Sequence, residues 1–211
     1  METDARLPRS FFARPSVEVA PALLGRHLSF GGVTVRLTVV EAYAGEVDPG
    51  SHAFRGPTPR TEPMFGPPGF TYVYFTYGNH WCVNLVVGEV GSASAVLLRA
   101  GEVLEGTDVV QARRGRVRER DWTRGPGRLG QALALSGEHS GRDFCRPLIG
   151  APIDLVVSQG HPVSQADVAI GPRVGVSGTG GDGEAYPWRF WLAGDPTVSA
   201  YRPGAVRRRR P

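Results

Sequence analysis

Residues 71–87, TYVYFTYGNHWCVNLVV, decide how this chain reads. Tyr72 to Tyr77 is aromatic and β-branched, and so is Trp81 to Val87, the composition of two strands. Gly78-Asn79 between them suits a two-residue hairpin turn, because glycine takes the positive φ such turns demand. Tyr74, Tyr77, His80 and Trp81 crowd the tip. A large ring there has little core to enter and is free to wedge into something outside. Local pattern alone favours the plainer reading, an aromatic sheet face packed inside.

The rest of the chain bounds what this hairpin serves. At 211 residues the chain can bury one core without covalent staples. Cys82 and Cys145 are its only cysteines, which rules out a disulfide framework and a cysteine-rich zinc site and suits a reducing compartment. No apolar run reaches bilayer length, and no secretory apolar segment follows Met1. The expectation is a soluble cytoplasmic monomer with no membrane contact. Residues 1–15 read as a loose arm docked by Phe11 and Phe12, 16–204 as one domain, and 205–211 as a basic tail.

The formal net charge is +4, and all 24 basic residues are arginine. With no lysine, no side-chain amine can form a Schiff base with a sugar aldehyde. Arg113, Arg114, Arg116, Arg118, Arg120, Arg124 and Arg128 cluster in one span, and Arg207 to Arg210 in another. Such density suits bidentate binding of phosphate; a solvated helix face and a tail are the other reading.

Upstream of the hairpin, Ser16 to Leu24 reads as a short helix stopped by Gly25. Pro21 belongs in a first turn, so that helix is expected to start late. His27 to Phe30, Gly31-Gly32 and Val33 to Val40 read as a second hairpin. Its second strand turns continuously apolar and then delivers Glu41, a costly carboxylate unless it is hydrogen-bonded or functional. Asp48-Pro49 looks like a cap and first turn of a short helix carrying His52. Residues 55–69 are rich in Pro and Gly and must be loop.

Downstream, Ala95 to Arg99 is an apolar strand ending in a charge, as the Glu41 strand does. Two such groups of opposite sign make a site or a plain ion pair. Thr107 is placed to cap a helix through Arg113. Gly125-Pro126-Gly127 opens another over Arg128 to Leu135, with free N–H groups that suit phosphate. Ile153 to Val157, Arg173 to Val176 and Pro187 to Leu192 read as strands, and Ser177 to Gly183 as a flexible glycine-rich loop.

Taken together, Glu41-Ala42-Tyr43, His52, Thr58-Pro59-Arg60, Met64-Phe65 and the run Gly69 to Asn84 resemble a known family. It is that of the alkyladenine (3-methyladenine) DNA glycosylases, the purine DNA glycosylases of the human alkyladenine type. Tyr72-Val73-Tyr74, Tyr77-Gly78, Cys82 and Asn84 stand in its hairpin pattern. Leu97 to Ala100, Glu105-Gly106, Gly125-Pro126, Gln131 to Leu133 and Arg173 to Val176 continue it in order. The resemblance spans about Ser16 to Ser199. Thr61 departs from the family's usual Asn, and Gly101-Glu102-Val103 from its usual apolar-Glu-Pro.

The resemblance implies an α+β domain: a curved antiparallel sheet, a protruding hairpin and peripheral helices. It implies removal of alkylated or deaminated purines from double-stranded DNA, with no cofactor and no metal. By position, Glu41 matches a general base that activates water, and Arg99 a residue that orients that water and keeps Glu41 ionised. Tyr43, His52 and Tyr74 match the aromatics around a flipped base, Asn84 the residue that disfavours guanine, and Tyr77 the intercalating residue. Arg60, Arg124 and Arg128 are expected on the DNA backbone. In a two-residue hairpin, however, Tyr77 and Asn84 share one face and Tyr74 takes the other, so a bulge or a different loop must bring Tyr74 and Asn84 together. Two rivals stand beside this reading. A non-catalytic nucleic-acid-binding module needs the arginines and aromatics but not Glu41. A metal-dependent hydrolase has only His80 and Cys82, without ligand spacing.

Overall fold

The computed structural model describes residues 5–76, 78–146, 155–161 and 163–204. Its centre is an eight-stranded antiparallel sheet of β1 (His27–Phe30), β2 (Val33–Tyr43), β3 (Thr71–Thr76), β4 (His80–Val86), β5 (Ala95–Glu105), β6 (Val156–Ser158), β7 (Val168–Gly171) and β8 (Arg189–Leu192). The order β3-β4-β5-β2-β1-β6 forms the main path. Along β2, β1 occupies one edge beside residues 33–36 and β8 the same edge beside residues 39–41. β7 then pairs with β8. Irregular register between β2 and β5 at Thr34/Val35, Leu37/Val39 and Val39/Val40 breaks the ladder, the kind of feature that bends a sheet. Among the described residues four α-helices flank it: α1 (Arg9–Phe12), α2 (Ser16–Leu23), α3 (Thr107–Arg114) and α4 (Pro126–Ala132). The architecture is the single mixed α+β domain expected.

Strand alternation sorts the side chains onto two faces. Val40, Val73, Val83, Leu85, Val96 and Leu98 join the main core, with Leu23 of α2 and Leu129 of α4. Tyr72, Val86 and Ala95 face the other way, into a smaller cluster with Ala53 and Met64 from the connection between β2 and β3. That second face carries the site.

The hairpin that opened the reading is present with a different register. Its strands end at Thr76 paired with His80, one residue short of a two-residue closure, so Tyr72 lies opposite Asn84 and Tyr74 opposite Cys82. All four are therefore on one face, which answers the register problem without a bulge in either strand. Gly31 and Gly32 both take positive φ, 60° and 79°, as a two-residue hairpin of the first type requires.

Other expectations change. α2 begins at Ser16 with Pro21 inside it. One hydrogen bond is forfeited, and burial of Val19, Ala20 and Leu23 offsets the loss. Thr107 is the first helical residue of α3, behind Gly106 at φ 77°. α4 ends at Ala132, because the chain turns at Ala134 with φ 55°. No helix follows Asp48: its carboxylate accepts the Gly50 N–H two residues on and closes a turn instead. Arg173 to Val176 is not a strand. Val174 N–H goes to a side chain, not a ladder, and Gly175 at φ 77° breaks extension. The strand in that region is β7, which the sequence reading did not identify. Within the expected arm, Leu7 N–H bonds Val157 O at 2.8 Å and Arg9 pairs with Asp143 at 2.6 Å, so residues 5–14 dock on the domain. The loop at 177–183 includes a 3-10 turn, Gly178–Gly181, with Gly180 buried. The tail 205–211 lies outside the described residues.

Candidate active site

The polar face of β2, β5, β4 and β3 presents one row of cross-strand neighbours: Glu41 opposite Leu97, Leu97 opposite Asn84, Asn84 opposite Tyr72. Tyr43, Tyr74, Cys82 and Arg99 flank that row on the same face. Above it opens a cavity of about 570 Å³, roofed by Pro49, Gly50 and His52 on one side and Val174 to Ser177 on another. Arg124, Gly125, Pro126 and Arg128 form the third side.

Glu41 is the most constrained group. It is 0% exposed, between β5 and β8. Its Oε2 accepts from Arg99 Nη1 at 3.0 Å and from the Tyr43 hydroxyl at 2.9 Å. Its Oε1 accepts from Val174 N–H at 2.7 Å. Arg99, Tyr43 and Val174 all line the cavity, so the carboxylate lies directly behind the cavity wall. A carboxylate offers about four acceptor positions, and three are filled from known directions. Burial, then the neighbouring Glu41 charge, holds the Tyr43 hydroxyl well above its ordinary pKa, so it stays a donor.

The aromatic wall is built from β3 and the turn after Asp48. Tyr72 and Tyr74 stack with centroids 5.5 Å apart at 27°. His52 meets Tyr74 edge-on at 4.7 Å and 84°, and its Nδ1 lies 3.2 Å from the Tyr72 hydroxyl. Arg60 covers Tyr74 at 5.3 Å from the ring centre. Burial of the imidazole, then the Arg60 charge, pushes the His52 pKa down to about 4; the outer edge of this residue is exposed, and water moderates the shift. Burial pushes the Cys82 thiol up to about 11, which makes it a poor nucleophile near neutral pH. Among the described residues no three His, Cys, Asp or Glu side chains group as a metal site, and no helix is long and apolar enough to cross a membrane. Asn84, 4% exposed, donates from Nδ2 to the Tyr72 carbonyl at 3.0 Å.

The arginine span becomes a fan around one carboxylate. Asp121 lies 3.1 Å from Arg118, 3.4 Å from Arg128, 3.5 Å from Arg124 and 3.9 Å from Arg120. Burial opposes ionisation there, but the arginines together hold the Asp121 carboxyl below its ordinary pKa. Two of these four arginines, Arg124 and Arg128, line the cavity and bring positive charge to its rim.

Arg99, Tyr43, His52, Tyr74, Asn84, Arg124 and Arg128 thus line one cavity, Glu41 lies behind its wall bonded to Arg99, and Arg60 packs on the Tyr74 ring. Tyr77 lies outside the described residues. Sequence reasoning missed Tyr72, Val174, Asp48 and Arg173. Asp48 and Arg173 form an ion pair of 2.6 Å with both side chains fully buried. A bulky charged residue in an apolar-looking run, RVGV, was the only available signal.

Comparison with known proteins gives the class. The family model described as "Methylpurine-DNA glycosylase (MPG)" matches residues 10–196. The chain belongs to the methylpurine-DNA glycosylase family and is a DNA glycosylase, an enzyme of DNA repair. A relative from Streptomyces avermitilis is 52% identical, over 97% of this chain and 95% of its own. One from Frankia casuarinae is 50% identical over 95% and 96%. One from Burkholderia cenocepacia is 45% identical over 93% and 92%. Each is named "Putative 3-methyladenine DNA glycosylase".

Proposed function

We propose that this enzyme flips alkylated or deaminated purines out of duplex DNA, among them 3-methyladenine, 7-methylguanine, hypoxanthine and ethenoadenine. It then hydrolyses the N-glycosidic bond with an activated water, without metal or cofactor. The observation that carries the reading is Glu41: a fully buried carboxylate whose three donors are all groups of the cavity wall.

A base inside a duplex is out of reach, so it must leave the stack, at a cost of about a few kcal/mol. The cavity, about 570 Å³, falls in the range of sites that enclose a small flat ligand. Tyr43, His52 and Tyr74 offer ring faces and edges to any purine, with a cation–π gain when alkylation has made it cationic. As the bond from C1′ to the base breaks, its electron pair leaves with the base and positive charge develops on the sugar. Glu41 stabilises that charge and takes the proton of the water whose oxygen joins C1′. Arg99 and Tyr43 hold the carboxylate in orientation through their bonds to Oε2. The product is an abasic site on an uncut strand, because no lysine is present to form the imine that leads to cleavage. Arg60 and the Arg124–Arg128 side of the rim are the surfaces for backbone phosphates, and the stacking gap is assigned to Tyr77. We take the enzyme to act as a monomer.

The test is release of free base from duplexes each carrying one of these four lesions, with a chelator present. Release of all four, and none from undamaged duplex, is expected. Retention of every base despite lesion-specific binding would favour the non-catalytic module.

Two expectations attach to wall residues. Asn84 is pinned by its bond to the Tyr72 carbonyl, so its bulk is fixed. Guanine differs from hypoxanthine by one exocyclic amino group, and a site that clashes with it and leaves it unpaired rejects it by several kcal/mol. Asn84→Ser is expected to raise guanine release relative to hypoxanthine by roughly tenfold or more, measured opposite a mismatch. An unchanged ratio in a folded variant would make Asn84 a structural amide.

His52 is the second. Burial and the Arg60 charge hold the His52 pKa below the ordinary histidine value, so the ring is mostly neutral near pH 7 and above. His52→Gln is therefore expected to lower the rate without moving the pH–rate profile between about pH 7 and 8. Loss of a limb near pH 6–6.5 would show that the imidazole is the titrating group.

A further inference from the structure

Arg173 is the largest fully buried side chain of the described residues, and neither the water-activating step nor the aromatic wall uses it directly. Four of its five guanidinium N–H groups are engaged. Nη1 donates to Ala42 O at 3.0 Å and to Asp48 Oδ2 at 2.6 Å; Nη2 donates to Asp48 Oδ1 at 2.7 Å and to Gly180 O at 2.7 Å. These acceptors belong to three separate segments, and each segment borders the cavity. Ala42 sits between Glu41 and Tyr43 at the end of β2. Asp48 begins the turn that brings Pro49, Gly50 and His52 over the cavity. Gly180 belongs to the loop that follows Val174 to Ser177.

The guanidinium plane also lies 4.6 Å from the centre of the Tyr43 ring, with Trp188 at 5.3 Å and Tyr186 at 5.7 Å. The Tyr43 ring is thereby backed by a flat, fixed group. The fit is close. A Cβ at Gly50 would collide with Arg173 Nη2, and a Cβ at Gly180 with the Gly50 backbone. The next residue along, Val174, gives its N–H to Glu41 Oε1.

We infer that Arg173 is a positioning residue of the glycosylase site: its fork ties the Glu41–Tyr43 strand end to the His52 turn and the 174–180 loop. It thereby fixes where the stacking ring and the carboxylate stand. A lysine would bring the charge without the planar fork, so it cannot bridge the same four acceptors. Geometry of this kind matters out of proportion to its size, because a shift of about 1 Å in a reacting group slows a reaction about 10²-fold.

The inference rests on the roles proposed for Glu41 and Tyr43, and its test separates the two. A merely structural ion pair can be exchanged for a neutral pair with little loss of function, since removing both charges avoids leaving one buried alone. Asp48→Asn with Arg173→Met is such an exchange: the Asn carbonyl can still accept the Gly50 N–H that closes the turn. Thermal melting, affinity for a duplex with an abasic site and single-turnover release of hypoxanthine are measured on the parent, this double variant, Arg173→Lys and Glu41→Gln. The expected result in the folded double variant is abasic-site affinity within about threefold of the parent and a single-turnover rate down about 100-fold or more at saturating enzyme. Arg173→Lys, read the same way, serves where the double variant fails to melt cooperatively. A rate within threefold of the parent in either folded variant, while Glu41→Gln is inactive, would overturn the positioning role alone. Full activity of Glu41→Gln would overturn the site reading beneath it.

Discussion

Glu41→Gln is expected to slow single-turnover base release by about 10³-fold or more while lesion-duplex affinity stays within a few fold. Glutamine keeps the shape, and its carbonyl oxygen can still accept from Arg99 and Tyr43, which share one oxygen of the native carboxylate. Its amide nitrogen must then face Val174 N–H, which now points at the other oxygen. One buried donor is left unpaired and the buried Arg99 cation loses its counter-charge, for a stability loss of about 3–5 kcal/mol. Cooperative melting of the variant is therefore measured beside its rate. On the proposed mechanism, what disappears is the negative charge that stabilises the developing sugar cation and the basic oxygen that accepts the proton. A single-turnover rate within tenfold of the parent, in a variant that melts cooperatively, would remove Glu41 from the chemistry.

Arg99→Met is expected to cost both stability and rate. The pair is buried, Arg99 at 7% exposure and Glu41 at 0%. Deleting one partner of such a pair typically costs about 3–5 kcal/mol, because the remaining charge stays out of water without compensation. Arg99 Nη1 also holds Glu41 Oε2 at 3.0 Å, and without that bond the carboxylate is free to turn from its place behind the cavity wall. A single-turnover rate down by about 10²-fold in a variant that still melts cooperatively is the expected result. A rate within threefold of the parent would assign Arg99 to packing alone.

The residues of this candidate site were named through the family resemblance, position by position; strand alternation, a local rule, supplied only which neighbours along one strand share a face. Glu41 and Tyr43 sit two apart on β2, Tyr72 and Tyr74 on β3, Cys82 and Asn84 on β4, Leu97 and Arg99 on β5, and each pair shares a face. The sequence could not supply the register between strands. A closure at Thr76–His80 in place of Tyr77–His80 moves Tyr74 from the face opposite Asn84 to the same face. Nothing in Gly78-Asn79 distinguishes the two closures. The clamp around Arg173 was hidden for a different reason. Its partners are 125 residues away at Asp48 and 131 at Ala42, and RVGV has the composition of a strand. The same distance misled the reading of Asp48-Pro49: a carboxylate that suits a helix cap is taken by a guanidinium and by a tighter turn. The Asp121 fan, by contrast, was visible as a run of arginines, but its organising acid looked only like dilution of charge.

The most direct measurement of the central claim is product analysis from one duplex carrying a single hypoxanthine, end-labelled on the damaged strand and incubated with excess enzyme. The account requires free hypoxanthine to appear in step with an abasic site on an intact strand, which hot alkali then cuts at the lesion, with Glu41→Gln yielding neither. A strand cut before alkali, or damaged DNA bound tightly with its base still attached, would contradict it.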